Sequence, residues 1–260
     1  MTDWLTPQEA QDRSGLRLVL TTSVPGPWGE AAKALFHVKN IPHLRVAQEG
    51  GGSNDALVAW TGERNAPQAI LDDEKTCSHW RDIIALAERM EAEPALCPTG
   101  QEDREEMFRL IGLLADENGL GWQRRLMLFG PMMALPEDHP GHQMVAGMAG
   151  RYGYTKEAEN EAPRLIIKIL EEFSQRHQEN LEAGRSFLMG DSLSALDLYW
   201  AAFAAFIEPL PHAICPMPEM IRGSYLCEDP DIRGALNPGL LEHRDAIYQQ
   251  WLEVPLDLGT

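Results

Sequence analysis

Ten residues decide the fold of this chain: Gly190-Asp191-Ser192-Leu193-Ser194-Ala195-Leu196-Asp197-Leu198-Tyr199. The Ser194 hydroxyl can cap a helix, and the Asp197 carboxylate, three residues on, can accept a hydrogen bond from the Ser194 N–H. The sequence from Ala201 to Ile207 is wholly apolar, so we expect a buried helix from Ala195 to Ile207. A buried helix cannot leave its first N–H groups to water, which makes its cap important.

The sequence around this segment is also typical of helices. Thr99 and Glu102 can form a capping box for a helix with an apolar face from Met107 to Leu114, which we expect to continue past Gly119 and Gly121 to Phe129. Pro163 is expected in the first turn of another helix, and Asn237-Pro238 at the start of the last one. No strand is predicted after Gly100.

The first ninety residues alternate strands and helices. Short apolar or alternating runs predict strands at 16–20, 43–48 and 67–71, with a marginal fourth strand at 75–77. Helical periodicity predicts helices at 27–38, 54–60 and 79–90. We therefore expect a four-stranded mixed sheet with helices on both faces, an α/β domain at 1–90, a proline-containing linker at 91–98 and an all-α domain at 99–260.

Composition excludes several functions. The net charge of −18 repels phosphate backbones, so no nucleic-acid partner is expected. No apolar run is long enough to cross a membrane, and the N-terminus lacks the pattern of a signal peptide. The four cysteines form no CxxC pair and indicate reduced thiols in the cytoplasm. His139 and His142 lack the further ligands that a metal site needs, so no metal is expected.

The capped, buried helix in the C-terminal half resembles the core helix of the glutathione S-transferase superfamily. Three motifs of the N-terminal half agree with that resemblance. Asn65-Ala66-Pro67 is similar to the family's cis-proline segment, Cys77-Ser78 stands where an acidic residue and a serine normally open a helix, and Gly26-Pro27-Trp28 resembles the start of the first helix in omega- and zeta-like members. The class is not identifiable from these motifs. The resemblance implies a thioredoxin-like N-terminal domain followed by a helical domain.

The resemblance also implies a function and a site. Glutathione would be the co-substrate of a transferase that uses its thiol on an electrophilic, mainly apolar small molecule, and the protein would be a homodimer with an interface around Met107 and Phe108. The residues implied to bind glutathione follow from the three motifs: Pro27, Trp28, Ala66, Pro67, Cys77 and Ser78. The alternative is a non-catalytic binding or interaction protein that keeps the fold, because fold alone does not establish function.

The sequence departs from the family at the reacting centre. Gly26 occupies the position of the omega-class cysteine, so thiol exchange through a protein cysteine is not expected. Ser23 and Thr22 are the candidate catalytic hydroxyls that would stabilise the thiolate, the alternative being that both only satisfy backbone groups of a turn.

Cys77 replaces the family's acidic residue, and the candidate substitutes for that residue are Asp72, Asp73 and Glu74. Its thiol is either a reactive group at a helix N-terminus or, as we favour, a small buried apolar side chain.

Two further groups are candidates for the acceptor pocket. Arg124 and Arg125, next to Trp122, would meet an acidic acceptor, but we favour solvated cations at a helix end. The methionines from Met132 to Met144 would either cover an apolar pocket or fill the core.

Overall fold

A computed structural model describes residues 4–259. Its first part alternates helices and strands, as the sequence predicts. A short helix that was not predicted comes first, capped by Thr6 and Glu9. The elements are α1 (Pro7–Gln11), β1 (Leu16–Thr21), α2 (Pro27–Val38), β2 (His43–Gln48), α3 (Asp55–Thr61), β3 (Gln68–Leu71) and α4 (Trp80–Met90).

The sheet has three strands in the order β2-β1-β3, with β1 parallel to β2 and antiparallel to β3. The expected fourth strand at 75–77 is wrong. Cys77 makes a single antiparallel bridge to Ala69, with N···O distances of 2.8 and 2.9 Å in the two directions. The segment is too short for a strand because the turn after β3 precedes it directly and α4 begins at Trp80.

Helices cover both faces of the sheet, as expected. Successive residues of a strand point to opposite faces. Leu18 and Leu20 of β1 therefore join the larger core with α2 and α4. Val19 joins a smaller core with Ala10 of α1 and Leu57 of α3. The two cores fix the sheet between two helical layers and position the ends of its strands for a site.

The second part of the chain contains helices, and no strand occurs in residues 101–259. The prediction of a thioredoxin-like part followed by a helical part is confirmed. The helices are α5 (Gln101–Ala115), α6 (Leu120–Met133), α7 (Pro140–Arg151), α8 (Lys156–Glu182), α9 (Ala195–Ala204), α10 (Glu219–Tyr225), α11 (Pro230–Ala235) and α12 (Pro238–Trp251). The buried α9 contacts α2, α5 and α12, and so joins the two parts of the fold.

Four helix boundaries differ from the prediction. The long helix expected to reach Phe129 is interrupted between α5 and α6, where Asn118 has a left-handed backbone. A Cβ atom on Gly119 would lie 2.9–3.0 Å from three backbone oxygens, so this break requires glycine. The Thr99 capping box is also wrong, because Gly100 caps α5 without a side-chain hydrogen bond.

The other two differences lie in α8 and α9. Helix α8 begins at Lys156, where Thr155 accepts a hydrogen bond from Ala158, so Pro163 lies inside this helix and not in its first turn. Helix α9 ends at Ala204, and Phe206 and Ile207 continue as turns bonded to residues three positions earlier.

The two histidines considered for a metal site have structural roles. His139 caps α7 by accepting a hydrogen bond from Gly141, and His142 contacts the Leu135 carbonyl at 3.0 Å. Among the helices within residues 4–259, none has the length and apolar character that crossing a membrane requires.

Candidate functional site

A cleft of about 1230 Å³ lies between the two parts of the fold. Its N-terminal wall contains the end of β1, the start of α2, the loop from Glu63 to Pro67, and Ser78 to Trp80 at the entry to α4. Its C-terminal wall comes from α6, α7 and α10. The N-terminal motifs singled out in the sequence thus converge on one cavity with helical residues far away in the chain.

The Ala66-Pro67 segment forms part of the cleft wall. The peptide bond between the two residues is cis, as the sequence predicts. The N–H and C=O groups of Ala66 have no hydrogen-bond partner in residues 4–259. They can therefore pair with the backbone of an extended peptide-like ligand.

Ser78 lies just before α4, beside an acidic residue that no sequence motif identifies. The Ser78 hydroxyl donates to the Glu63 carboxylate at 3.3 Å, and both side chains line the cleft. The amide N–H groups of Ser78, His79 and Trp80 have no acceptor among the described residues. Free amides at a helix N-terminus bind anions, while Glu63 supplies a negative charge next to them. The pair is suited to a ligand with adjacent carboxylate and ammonium groups.

Cys77 does not line the cleft. It packs against the main core, and burial raises the pKa of its thiol, with Asp82 and Glu74 adding to the effect. The thiol is therefore not activated, which agrees with the favoured structural role. None of the acidic residues suggested as substitutes lines the cleft either. Asp72 accepts a hydrogen bond from Gly15 at 2.7 Å, Glu74 pairs with Arg89, and Asp73 is exposed.

The start of α2 presents backbone groups to the cleft. Gly26 is the N-cap without a side-chain hydrogen bond, and Pro27 is buried as the first helical residue. Trp28 is held by a 2.8 Å bond from its Nε1 to the Ala115 carbonyl. The N–H groups of Trp28 and Gly29 have no acceptor in the described chain. They are unpaired donors at the positive end of a twelve-residue helix.

The predicted catalytic hydroxyls lie next to the cleft but do not line it. The Ser23 N–H donates to the Leu258 carbonyl at 2.7 Å, and Ser23 has a left-handed backbone. The Thr22 hydroxyl lies 3.4 Å from the Gln48 carbonyl. Thr21 is the neighbouring hydroxyl on the cleft wall, and it donates to Gln48 Oε1 at 2.7 Å.

The expectation that Arg124 and Arg125 are solvated is wrong. Arg124 is buried and donates to the carbonyls of Phe206, Ser224 and Tyr225, which ties α6 to α10. Arg125 is half-buried and lines the cleft. The side chains around Arg125 come from α2, from α7 and from the region that follows α9. The apolar periodicity along α6 therefore cannot predict that they lie close to it.

The methionine-rich segment contributes little to the cleft. Met148 and Val145 of α7 line it, whereas Met132 and Met144 are exposed. Two tyrosines that the sequence analysis did not single out, Tyr152 and Tyr225, lie on the same wall. They follow or end short helices whose positions only the tertiary structure defines.

Comparison with known proteins identifies the fold. The chain is similar to a glutathione S-transferase from Methylobacterium radiotolerans in complex with glutathione sulfonate, with 16% identity, 94% of this chain and 99% of that chain covered, and a TM-score of 0.63. It is similar to glutathione transferase Omega 3C from Trametes versicolor, with 13% identity, coverage of 94% and 84%, and a TM-score of 0.57.

A third similar structure is the theta-class enzyme from the citrus canker pathogen Xanthomonas axonopodis with glutathione bound, at 16% identity, coverage of 94% and 100%, and a TM-score of 0.53. No protein-family model matches the chain, and no curated protein matches its sequence. The chain therefore has the glutathione S-transferase fold, as its motifs predict, with likeness to several classes.

Proposed function

We propose that this protein binds glutathione in the N-terminal half of the cleft and uses its thiol on an electrophilic, mainly apolar small molecule. The observation that carries the proposal is the contact between Glu63 and Ser78 beside three unpaired amides. Adjacent acceptor and donor groups match the α-amino and α-carboxylate groups of a γ-glutamyl residue. The complexes of similar structures with glutathione or its sulfonate support the same ligand.

The remaining contacts follow from the shape of the cleft. With the γ-glutamyl end at Ser78, the backbone of the cysteinyl residue would pair with the free N–H and C=O of Ala66, next to Pro67. The thiol would then point to the start of α2. There the unpaired N–H groups of Trp28 and Gly29 and the positive helix end would stabilise a thiolate.

This proposal gives the main catalytic role to backbone donors. Ser23 and Thr22 stay predicted catalytic residues, but their hydrogen bonds to Leu258 and Gln48 support the alternative role in the turn. In the reaction, the thiolate sulphur forms a bond to the electrophilic carbon and the leaving group departs with its electron pair, while the thiol proton passes to solvent. Pre-aimed N–H donors favour this step because they lower the free energy of the thiolate.

A glutathione-binding protein without transferase activity is the second candidate. The bare Gly26 at the start of α2 favours it, because no side-chain donor reaches the sulphur position from that residue. The ultraviolet absorbance of the thiolate separates the two functions. Glutathione bound to a transferase would show thiolate absorbance near neutral pH, whereas glutathione bound to a non-catalytic protein would titrate as it does in water.

Calorimetry with glutathione tests the binding site. Glu63→Gln keeps the shape but removes the charge, so the Kd should rise about tenfold, the scale of one charge-assisted hydrogen bond. Glu74→Gln is the matched control, since it removes the same charge outside the cleft. Equal affinity of the Glu63→Gln variant and the parent, or no binding by the parent, would remove the proposed site.

The proposal includes a cytoplasmic homodimer. A reducing compartment suits both glutathione and the four free cysteines. Of the two expected interface residues, Met107 is fully buried within its own chain and Phe108 is half-buried. Only Phe108 therefore has exposed surface that a partner subunit would contact. Sedimentation at micromolar concentration should show twice the mass of one chain.

A further inference from the structure

The C-terminal wall of the cleft contains a cation that no carboxylate neutralises. Arg125 makes no ion pair among residues 4–259, although acidic residues of the whole chain outnumber basic ones by 40 to 22. Its Nε atom is buried without an acceptor, and its Nη1 contacts only the sulphur of Met148, at 3.9 Å. A buried N–H without an acceptor costs free energy, and the terminal N–H groups of this guanidinium have no oxygen acceptor within residues 4–259, so they are free to pair with a ligand in the cleft.

Aromatic rings hold this guanidinium in place. Its central carbon lies 5.8 Å from the ring centroid of Trp28, 5.6 Å from Tyr152 and 5.4 Å from Phe206. The ring faces attract the cation but leave its N–H donors unused. The planar fork of arginine is therefore oriented before any ligand arrives, which suits it to a carboxylate.

The other groups nearby agree with an anionic ligand. Tyr225 lines the same wall and its hydroxyl has no partner in the described chain; burial raises its pKa to about 12, so the phenol stays a neutral donor. Glu30 is a carboxylate on the opposite side of the cleft, but it pairs with Lys33 at 2.8 Å. The positive charge of Arg125 is thus not cancelled from α2.

We propose that Arg125 binds the carboxylate of the acceptor, so that the acceptors of this protein are aromatic or other flat electrophiles with one acidic group. This inference deepens the proposed function and rests on it. The rings of Trp28 and Tyr152 would contact the apolar body of the acceptor, and the acid would be held at Arg125. The start of α2, where the thiol would lie, belongs to the same cleft as Arg125.

Chlorodinitrobenzoate and its methyl ester provide the test, because the ester lacks the negative charge of the acid. The ester also activates the ring more strongly, so each kcat/KM is divided by the rate constant of the same acceptor with glutathione in buffer. In both, the glutathione sulphur bonds to the ring carbon that carries chlorine, chloride leaves with its electron pair, and the thiol proton passes to solvent. The parent should prefer the acid to the ester in this corrected kcat/KM. In Arg125→Met this preference should fall by at least about tenfold, the scale of one buried charge-assisted contact.

Two more variants control the comparison. Arg125→Lys keeps the charge but loses the fork, so its preference should lie between those of the parent and Arg125→Met. Arg185→Met removes one exposed cation outside the cleft and should leave the preference unchanged. Thermal unfolding of each variant verifies that the fold is kept, and the Arg125→Lys result decides the test if Arg125→Met does not fold.

Binding of dinitrobenzoate, which lacks the chlorine, separates this inference from the proposed function. Calorimetry without glutathione should show binding to the parent that Arg125→Met weakens at least about tenfold. If the parent binds dinitrobenzoate through Arg125 but conjugates neither acceptor, the anion site stands and the transferase function fails. If conjugation proceeds with no preference for the acid, or Arg125→Met binds dinitrobenzoate like the parent, the inference is overturned.

Discussion

At the scale of single residues, Asp197 belongs to a short sequence motif but also makes hydrogen bonds to residues outside that motif. Its fully buried carboxylate accepts a hydrogen bond from the Ser194 N–H, as the sequence predicts. It accepts a second one from the Ser194 hydroxyl, which the sequence does not predict. It also accepts from the Leu188 N–H at 2.8 Å and contacts His243 Nε2 at 2.9 Å. The last two contacts come from a loop and from α12, so local spacing gives no signal for them.

Replacing Asp197 should therefore lower the free energy of unfolding by more than the loss of an ordinary helix cap does. Asp197→Ala leaves the Ser194 and Leu188 amides and His243 without a buried partner, and we expect a loss of about 3–5 kcal/mol in the free energy of unfolding. Asp229→Ala is the matched control, because Asp229 caps α11 with bonds only within that helix, and should cost about 1 kcal/mol. Urea unfolding measures both losses. Similar losses in the two variants would contradict the argument.

Two histidines should make stability depend on pH. Burial lowers the pKa of His43 and of His177, and the nearby His243 adds to the shift of His177. Each therefore takes up its proton at a lower pH in the folded protein than in the unfolded chain, where the ordinary pKa is about 6.5. Stability is therefore fully present above that pKa and is lost as pH falls below it.

The parent should lose free energy of unfolding between about pH 7.5 and pH 5, and the double variant His43→Gln with His177→Gln should lose less. The difference is at most about 1.4 kcal/mol per pH unit for each proton that the unfolded chain no longer takes up. Urea unfolding at the two pH values gives the difference. The control is His212→Gln, because His212 is exposed; between the two pH values this variant should lose as much stability as the parent does. An unchanged pH dependence in the double variant would show that neither histidine contributes.

At the scale of elements, the sequence predicts those whose pattern is decided locally. The apolar face of α2, the strands β1 and β2, and the capped α9 all follow from spacing and burial. The break between α5 and α6 does not, because the apolar pattern continues through it. Asp116, just after α5, accepts a 2.5 Å hydrogen bond from Trp80 Nε1 of α4, so a contact between distant elements adds to the local requirement for Gly119 at this boundary.

The start of α6 also depends on a close approach to its neighbours. A Cβ atom on Gly121 would lie 2.5 Å from the Phe203 ring and 2.8 Å from the Trp28 ring. Gly121→Ala should therefore destabilise the protein by about 1–3 kcal/mol, despite the better helix propensity of alanine. In Gly150→Ala of α7 the added methyl meets nothing within 4 Å, and this variant should gain about 0.4–1 kcal/mol. Thermal unfolding that ranks the two variants the other way would contradict this packing.

At the scale of the whole molecule, the cleft combines groups that the sequence identifies with groups that it cannot. Ala66, Pro67 and Ser78 follow from motifs, because short spacings are readable along the chain. Glu63 does not: the acidic residues next to Cys77 in sequence point elsewhere, whereas Glu63 reaches Ser78 across fifteen positions. The sequence identifies Arg125 as a candidate but predicts the wrong environment for it, since burial by α2 and α7 is a property of the assembled fold.

The last described residues join the two parts of the fold through an ion-pair network. Arg45 of β2, with a side chain that is 8% exposed, pairs with Asp257 and Glu253, and Asp257 also accepts from Trp4 Nε1 at 3.0 Å. The flanking Leu256 and Leu258 are buried. Beside them, the Leu258 carbonyl accepts the Ser23 N–H, so this segment also supports the turn at the start of α2.

Asp257→Ala should therefore lower the free energy of unfolding by about 2–3 kcal/mol, because it leaves a buried guanidinium with one carboxylate instead of two. Glu161→Ala breaks the exposed pair with Arg164 on α8 and should cost much less than Asp257→Ala, because solvent screens an exposed ion pair. A double-mutant cycle with Arg45→Met isolates the coupling of Arg45 to Asp257 from the contacts of Asp257 with Trp4 and Gly259. If the coupling is no larger than that of Glu161 with Arg164, measured by the same kind of cycle, burial adds nothing to this ion pair. The segment is then held in place by its other contacts, among them the buried Leu256 and Leu258 side chains and the bond from the Ser23 N–H to the Leu258 carbonyl.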